Sequence, residues 1–155
     1  MAAFDFDGTL TEGGSVFGYL SALRGPAVVV PAALALGPRL IQAAVAGGAV
    51  ADRTKELLFE RVLAGVALER AEEVGTEFVL DHLDRHLRSG VRRRFDWHRG
   101  RGDRVVIVSA SPEIYVRVAG VRLGADGVVA TRLAVGGVGA LNGHYDGANC
   151  RGEEK

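Results

Sequence analysis

The sequence predicts an α/β fold in which a helical segment interrupts a parallel sheet. Residues 2–7, AAFDFD, form a short apolar run typical of a strand. Helical spacing of apolar residues then continues from residue 14 to about residue 90. Finally, DRVVIVSAS at 103–111 is the continuous β-branched run of a strand buried on both faces. We therefore expect a core domain of residues 1–13 and 91–155 and an all-helical cap of residues 14–90.

Length, charge and cysteine content narrow the class of protein. The 155 residues suffice for one core with an inserted module. Lys and Arg number 19, as do Asp and Glu, so no overall field favours nucleic acid. Cys150 is the only cysteine, which excludes an intrachain disulfide and favours a reducing compartment; we expect a packed loop residue there. Acidic residues stand where a signal peptide needs basic ones, so we expect the cytoplasm.

The helical segment begins after the first strand. Residues 15–24 predict a helix with Ser15 as its N-cap, and 52–64 and 68–89 predict amphipathic helices. Between them, residues 25–51 predict one or two apolar helices broken by prolines. The uncharged runs on either side of Arg39 are shorter than the roughly 20 apolar residues of a membrane span. We expect helices buried in a small bundle rather than membrane contact.

The second half returns to strands. After the strand at 103–111, PEIYVRVAGVRLG predicts a helix with Pro112 in its first turn and Gly124 at its end. DGVVATRLAV at 126–135 predicts another strand. The glycine- and asparagine-rich residues 136–147 predict a hairpin.

Two carboxylates at the end of the first strand are the main chemical signal. Asp5 and Asp7 share one face of the strand, with Cα atoms about 6–7 Å apart. Ligands bind at this end of strands in open α/β sheets. Closely spaced carboxylates favour a bound cation, and Mg²⁺ is the natural hard ion. One acid could attack phosphorus while the other handles protons, although aspartate before glycine is also common in ordinary turns.

The motifs resemble, in order, those of the haloacid dehalogenase superfamily. FDFDGTLT at 4–11 resembles its nucleophile motif, VVIVSAS supplies the Ser of its second motif, and GANCRGEEK leads to a third-motif lysine. The helical insertion is similar to the cap of the phosphoserine-phosphatase-like branch. The resemblance implies a Rossmann-like parallel sheet, a helical cap and Mg²⁺-dependent phosphomonoester hydrolysis. The acid at the second aspartate position favours phosphatase over dehalogenase chemistry.

The resemblance also implies roles for individual residues. Asp5 would be the nucleophile that forms an aspartyl-phosphate, and Asp7 the general acid and base. The carboxylate of Asp5 and the backbone carbonyl of Asp7 would bind Mg²⁺. Phosphate would be bound by the hydroxyl groups of Thr9 and Ser109, the backbone N–H group of Ala110 and the side chain of Lys155. Independently of the family, we expect that Glu12, Arg53 and Lys55 contact the substrate from the cap.

One part of the family pattern should follow Lys155. The family's fourth motif completes its metal site, and its strand lies beside the first strand of the sheet. The sequence stops at Lys155, so we expect a fragment or truncated chain of weak activity that lacks its C-terminal strands. The first strand would then be an exposed edge that could support a homodimer.

Two further patterns in the sequence could indicate metal binding or nucleic-acid binding. His82 and His86 are four residues apart, but neighbouring charged residues favour a solvated helix face over a metal site. The basic, aromatic run at 92–104 favours a helix end over nucleic-acid binding.

The expected substrate is a small organic phosphate, and the apolar cap favours one less polar than phosphoserine. A phosphotransferase or mutase, and a non-catalytic phosphate-binding module, remain as alternatives.

Overall fold

The computed structural model describes residues 1–147, 149 and 150. Its central element is a three-stranded parallel sheet formed by β1 (Ala2–Asp5), β2 (Val105–Pro112) and β3 (Gly127–Thr131), in the order β1–β2–β3. A long helical segment separates β1 from β2 in the chain. The predicted α/β fold with a helical insertion after the first strand is therefore confirmed, whereas the boundaries at residues 13/14 and 90/91 stay predictions.

The first strand is shorter than the predicted 2–7. It pairs with β2 from Ala2 opposite Val105 to Asp5 opposite Val108. The chain then curls, because Leu10 N–H donates to the carbonyl of Asp5, and Gly8 has a φ of 76° that favours glycine. Asp7 consequently lies in the turn beyond the strand, on the side towards the cap.

Six helices lie between the first two strands. They are α1 (Val16–Arg24), α2 (Pro26–Ala35), α3 (Gly37–Ala46), α4 (Gly48–Leu63), α5 (Leu68–His86) and α6 (Ser89–Gly100). The apolar stretch forms two helices, α2 and α3, and α2 continues through Pro31. The predicted helix at 68–89 ends at His86, where the backbone turns extended before α6 begins.

The expectation that the apolar helices are buried in a bundle is wrong for one side of each helix. Val29 and Leu36 are buried, but Leu34, Ile41 and Val45 are 72%, 71% and 86% exposed. The helices contact α1 and α4 on one side, and no further layer of the described chain covers the other. No helix in the described part of the chain is long and apolar enough to cross a membrane.

The chain after β2 differs from the prediction at two points. Helix α7 (Glu113–Leu123) follows β2 and has Gly124 at its end, as predicted, but Pro112 is the last residue of β2 and the N-cap of α7 rather than part of its first turn. The predicted strand at 126–135 is two strands, β3 and β4 (Leu133–Val135), which belong to different sheets. At Arg132 the chain leaves the parallel sheet, and β4 pairs antiparallel with β5 (Leu141–Tyr145) in the predicted hairpin.

The β4–β5 hairpin holds the cap against the core. Its backbone exchanges hydrogen bonds with the turn between α4 and α5, where Leu141 N–H donates to Val66 and Gly65 N–H donates to Leu141. Strand β5 also lies against α4 so closely that a Cβ atom at Gly143 would overlap the backbone of Glu60. Buried side chains of cap and core form one hydrophobic cluster. The cap is therefore fixed beside the carboxyl ends of the parallel strands.

Candidate active site

The two motif aspartates lie where the sheet meets the cap. Asp5 ends β1 opposite Val108, so its neighbour across the sheet is the end of β2 that carries Ser109, Ala110 and Ser111. Phe4 and Phe6 point into the core, at 8% and 0% exposure, whereas both aspartates are half-buried. Both carboxylates therefore lie outside the core, Asp5 at the end of β1 and Asp7 in the turn that follows it.

Asp7 is held through both of its carboxylate oxygens. Ser15 N–H donates to Oδ1 at 2.7 Å, and the Ser111 hydroxyl donates to Oδ2 at 2.5 Å. The second distance is typical of a strong, charge-assisted hydrogen bond. Because Ser15 begins the cap and Ser111 ends β2, the orientation of Asp7 is set by cap and core together.

Ser111 is a site residue that the sequence analysis did not identify. It stands two positions after Ser109, so the alternation of side chains along a strand could have placed both on the same face. Within the strand, Ser111 N–H donates to the Ser109 hydroxyl at 3.0 Å. A register shift between Ser109 and Pro112 marks this segment as irregular strand.

Asp5 has a different environment from Asp7. Its Oδ2 atom is 3.5 Å from the Thr9 hydroxyl, a longer and weaker contact than those of Asp7. Thr9 follows the sharp turn at Gly8, which returns the chain over the end of β1. The turn thus brings Thr9, a predicted substrate contact, beside the predicted nucleophile.

Lys55 lies at the site, as the sequence analysis expects of a substrate contact. From α4, its Nζ atom donates to the carbonyl of Ala110 at 2.6 Å and to Asn149 Oδ1 at 2.8 Å. Thr131, at the end of β3, donates to the same carbonyl at 2.8 Å. A cap cation is therefore anchored at the end of β2, next to predicted phosphate ligands.

Asn149 extends this network and was not predicted from the sequence. It is 7% exposed, and its side-chain amide donates to Asp52 Oδ1 at 2.6 Å. Asp52 and Lys55 are three residues apart on α4, so one face of this helix provides both contacts. The network links α4 to the ends of β2 and β3.

The remaining predicted residues fall elsewhere. Arg53 lies on the other side of α4 and pairs with Glu56 at 2.6 Å and Glu60 at 3.1 Å. Glu12 is exposed, and its backbone N–H donates to the carbonyl of His86. Lys155 lies outside the described residues. The structure thus brings Asp5, Asp7, Thr9, Ser109, Ala110 and Lys55 together but not Arg53.

A buried tyrosine supports the residues that orient Asp7. Ser15 was expected to cap α1, but its side chain makes no capping bond and its hydroxyl instead lies 2.8 Å from the Tyr115 hydroxyl. Tyr115 is fully buried, and burial, followed by the nearby charge of Asp7, raises the pKa of its hydroxyl. Tyr115 therefore stays neutral and able to donate.

His82 is not on a solvated face, contrary to the sequence analysis. Its ring stacks on Phe78 at 5.4 Å between ring centroids, and the residue is 8% exposed. Burial, followed by the neighbouring His86, lowers the pKa of His82, and the charges of Asp7 and Asp81 oppose this only in part. His82 Nε2 is buried and makes no hydrogen bond to the described residues.

The donor atoms at the strand end suit a hard cation. The carboxylate of Asp5 is half-buried at the end of β1, and the backbone carbonyl of Asp7 follows two residues later, in the turn. Oxygen donors of this kind are those that Mg²⁺ prefers. By contrast, the Asp7 carboxylate is already engaged with Ser15 and Ser111, so its backbone carbonyl is the better candidate ligand.

Another group of potential metal ligands lies away from the strand end. Glu56, Glu60 and His144 form a cluster in the described part of the chain whose ligand atoms lie within 4.8 Å of one another. Burial favours a higher pKa for Glu56, but the hydrogen bonds from Arg53, the Tyr145 backbone and His144 together lower it. Because Arg53 forms ion pairs with both glutamates, this cluster is best described as an ion-pair network.

Comparisons with known proteins show the family of the chain. Residues 2–155 match the model of a family described as haloacid dehalogenase-like hydrolase. Protein CicA of Caulobacter vibrioides is 33% identical over 159 residues, which covers the whole of this chain and 68% of that protein.

Solved structures are similar in fold. A crystal structure of a protein of unknown function from Bordetella pertussis Tohama I has a TM-score of 0.77 at 21% identity, over 97% of this chain and 67% of that one. A phospho-aspartyl intermediate analogue of phosphoserine phosphatase has a TM-score of 0.62 at 22% identity, over 94% of this chain and 62% of that one.

Proposed function

Because the chain belongs to the haloacid dehalogenase-like hydrolase family, we propose that it hydrolyses phosphomonoesters of small organic molecules through an aspartyl-phosphate on Asp5. The observation that carries the proposal is the fixed orientation of the second of two neighbouring carboxylates. Asp7 accepts short hydrogen bonds from Ser15 N–H and the Ser111 hydroxyl, and Asp5 lies at the end of β1 beside Thr9. A group that transfers protons must be held in one orientation towards the reacting atoms.

In the first step, an Asp5 carboxylate oxygen attacks phosphorus and the bond from phosphorus to the leaving oxygen breaks. Asp7 acts as the general acid in this step and gives a proton to that oxygen. In the second step, water attacks the phosphorus, Asp7 takes a proton from the water, and the bond to Asp5 breaks to release phosphate. The bonds from Ser15 and Ser111 hold Asp7 in one orientation for both proton transfers.

Charge on the phosphoryl group is balanced by the residues around the strand ends. Lys55 provides a cation beside the end of β2, where its hydrogen bonds to Ala110 and Asn149 fix its position. Thr9, Ser109 and the Ala110 N–H group are the proposed hydrogen-bond donors, and Lys155 is a further proposed cation. Fixed donors and charges of this kind contribute most of the catalysis in phosphoryl transfer.

Mg²⁺ is the proposed cofactor. The Asp5 carboxylate and the Asp7 backbone carbonyl would hold it, and when bound it neutralises negative charge on the phosphate. The phosphoserine phosphatase structure similar to this chain is of a phospho-aspartyl intermediate analogue, which supports the same covalent chemistry here. The identity of the organic group of the substrate is left open by this proposal.

The test is whether Asp5 carries the phosphoryl group. The protein expressed from its full-length gene is incubated with Mg²⁺ and a radiolabelled aryl phosphate, quenched with acid, and assayed for label on protein and for released phosphate. We expect label on the wild type, and we expect that Asp5→Asn abolishes label and reduces turnover about 10⁴-fold. Asp84→Asn, at an exposed position on α5, is the matched control and should behave as wild type.

Three results would contradict the proposal. Turnover by Asp5→Asn at the wild-type rate would exclude Asp5 as nucleophile. Tight phosphate binding without turnover would indicate a binding module. Transfer of the phosphoryl group to an acceptor other than isotopically labelled water would indicate a phosphotransferase or mutase.

A further inference from the structure

Helices α2 and α3 expose an apolar surface on the outer side of the cap. We call this the α2–α3 face; its exposed large side chains are Val28, Val30, Leu34, Ile41 and Val45, at 38–86% exposure. Val30 and Leu34 are one turn apart on α2, and Ile41 and Val45 are one turn apart on α3. Each helix therefore presents large apolar side chains to solvent, and on α3 the exposed Arg39 and Gln42 accompany them.

Such a surface is unusual for a helix that faces water. Helix α2, with the sequence PAVVVPAALA, has no charged or polar side chain on any side. A helix that is apolar all round is normally covered on every side, and exposed apolar patches mark contacts with proteins or membranes. The partner that covers this face should match the charges around it.

The charges on this segment are all positive. Residues 13–51 contain no Asp or Glu, and their two charged residues are Arg24 and Arg39. Both arginines are exposed, one just before α2 and the other in the first turn of α3. All 19 acidic residues of the chain lie outside residues 13–51, so the lack of acids is local to this segment.

We propose that the α2–α3 face docks on the surface of an anionic lipid bilayer. Apolar side chains would enter the boundary between headgroups and acyl chains, and the arginines would contact anionic headgroups. Each helix has ten residues and is about 15 Å long, so the contact is parallel to the surface rather than across it. This surface replaces the buried bundle expected from the sequence, and the inference does not depend on the proposed catalytic function.

A cavity lies beside the face, between α3 and α4, and has a volume of about 510 Å³. Arg39 lines it together with Val50 and Leu57, whereas Arg53, which also lines it, is paired with Glu56 and Glu60. The Arg39 guanidinium group next to apolar walls fits an amphiphile with an anionic headgroup.

A second copy of the chain fits the face less well. Two copies that met through this face would combine the positive charges of both, and residues 13–51 offer no carboxylate to pair with them. Like charges at an interface weaken association. A bilayer with anionic headgroups has the opposite charge and no such conflict.

The test is co-sedimentation of the full-length protein with vesicles. Vesicles of phosphatidylcholine alone are compared with vesicles of phosphatidylcholine mixed with phosphatidylglycerol. We expect binding to the mixed vesicles that weakens between about 0.1 M and about 1 M salt. The paired substitution Leu34→Glu with Ile41→Glu should weaken binding about tenfold or more.

Matched controls separate this face from general hydrophobicity. Val121→Glu with Val138→Glu changes two side chains that are 79% and 92% exposed outside the face, and should leave binding unchanged. Arg24→Gln with Arg39→Gln should weaken binding about fivefold for each arginine. Circular dichroism and thermal melting check that every variant is folded.

Three results would overturn the proposal. One is equal binding to neutral and anionic vesicles, and another is normal binding by the Leu34→Glu, Ile41→Glu variant. The third is a wild-type protein that is a dimer by analytical ultracentrifugation and does not bind vesicles, together with a monomeric Leu34→Glu, Ile41→Glu variant. A second copy would then cover the face.

Discussion

Asp7 lies two residues after Asp5, and its neighbours fix the direction of its carboxylate. Ser15 N–H donates to one oxygen at 2.7 Å and the Ser111 hydroxyl donates to the other at 2.5 Å. A group that transfers protons must keep one orientation through both steps of the proposed reaction. The residue that provides this on the core side is Ser111.

We expect that Ser111→Ala lowers kcat roughly tenfold to 100-fold with little change in KM. The substitution removes the hydroxyl that orients Asp7 but keeps the Ser111 N–H bond to Ser109. Steady-state kinetics of the full-length protein measure this split. Ser111→Thr keeps a hydroxyl and should recover part of the activity. An equal loss in both variants, or a change in KM alone, would contradict a role through Asp7.

His82 predicts a pH dependence of stability. Burial lowers its pKa in the folded protein, with His86 adding to the effect, whereas the unfolded value is about 6.5. Below that pH the unfolded chain binds more protons at this site, so the free energy of unfolding falls as the pH drops through about 6.5. Above it the two states bind equally, and the contribution to the pH slope vanishes.

The prediction is checked with urea unfolding of the wild type and His82→Leu across this pH range. The wild type should lose more stability than the variant between neutral and mildly acidic pH, whatever the absolute stability of the variant. Above the unfolded pKa the two slopes should agree. Parallel curves throughout would show that His82 does not titrate on unfolding.

At the level of elements, helix α4 and strand β5 connect the cap to the site. Helix α4 carries Lys55 and Asp52 to the ends of β2 and β3, and β5 lies directly against it. Gly143 permits this approach, since its φ is 85° and a Cβ atom would overlap the backbone of Glu60. The position of Lys55 therefore depends on a glycine in the hairpin.

We expect that Gly143→Ala lowers the free energy of unfolding by about 2–4 kcal/mol, from a left-handed backbone and from overlap with α4. Gly139→Ala is the matched control, because Gly139 has a φ of 72° but nothing within 4 Å of the added atom. It should cost only about 1 kcal/mol. Thermal melting measures both, at about 2–4 °C for each kcal/mol. Equal melting temperatures would show that α4 and β5 can separate without cost.

Elements with strong periodicity were predictable from the sequence, and contacts between elements were not. The run VVIVSAS and the helix before Gly124 depend on local patterns, and both formed, although the helix begins at Glu113 and Pro112 belongs to β2. The single strand expected at 126–135 divides at Arg132 because β4 pairs with β5 rather than with the sheet, and no local pattern encodes that choice. Asn149 joined the site for the same reason: its partners are distant in sequence.

The same distinction applies to the candidate site. The motif residues Asp5 and Asp7 were identified from their spacing and their place at a strand end. Of the two cations proposed on α4, Lys55 reaches the site and Arg53 points away, because residues two positions apart lie on nearly opposite sides of a helix. Which side faces the site depends on how α4 packs, and that follows from β5 and the core.

At the scale of the whole molecule, folding and the proposed metal site are linked. Mg²⁺ held by Asp5 and the Asp7 carbonyl would bind the folded protein and not the unfolded chain, because a preformed metal site rarely exists in an unfolded chain. A ligand at ten times its Kd then stabilises the fold by about 1.4 kcal/mol. For a chain of this size that corresponds to a rise in Tm of about 3–6 °C.

We therefore expect Mg²⁺ to raise the Tm of the full-length wild type and to have a much smaller effect on Asp5→Asn, which replaces a carboxylate with a neutral amide. Differential scanning calorimetry with and without Mg²⁺ measures the shift, and an equal concentration of NaCl plus further salt to match ionic strength is the control. Glu56→Gln is a second control, because it alters the other cluster of candidate ligands and should leave the shift intact. A shift that survives Asp5→Asn but disappears in Glu56→Gln would move the metal from the strand end to α4 and β5.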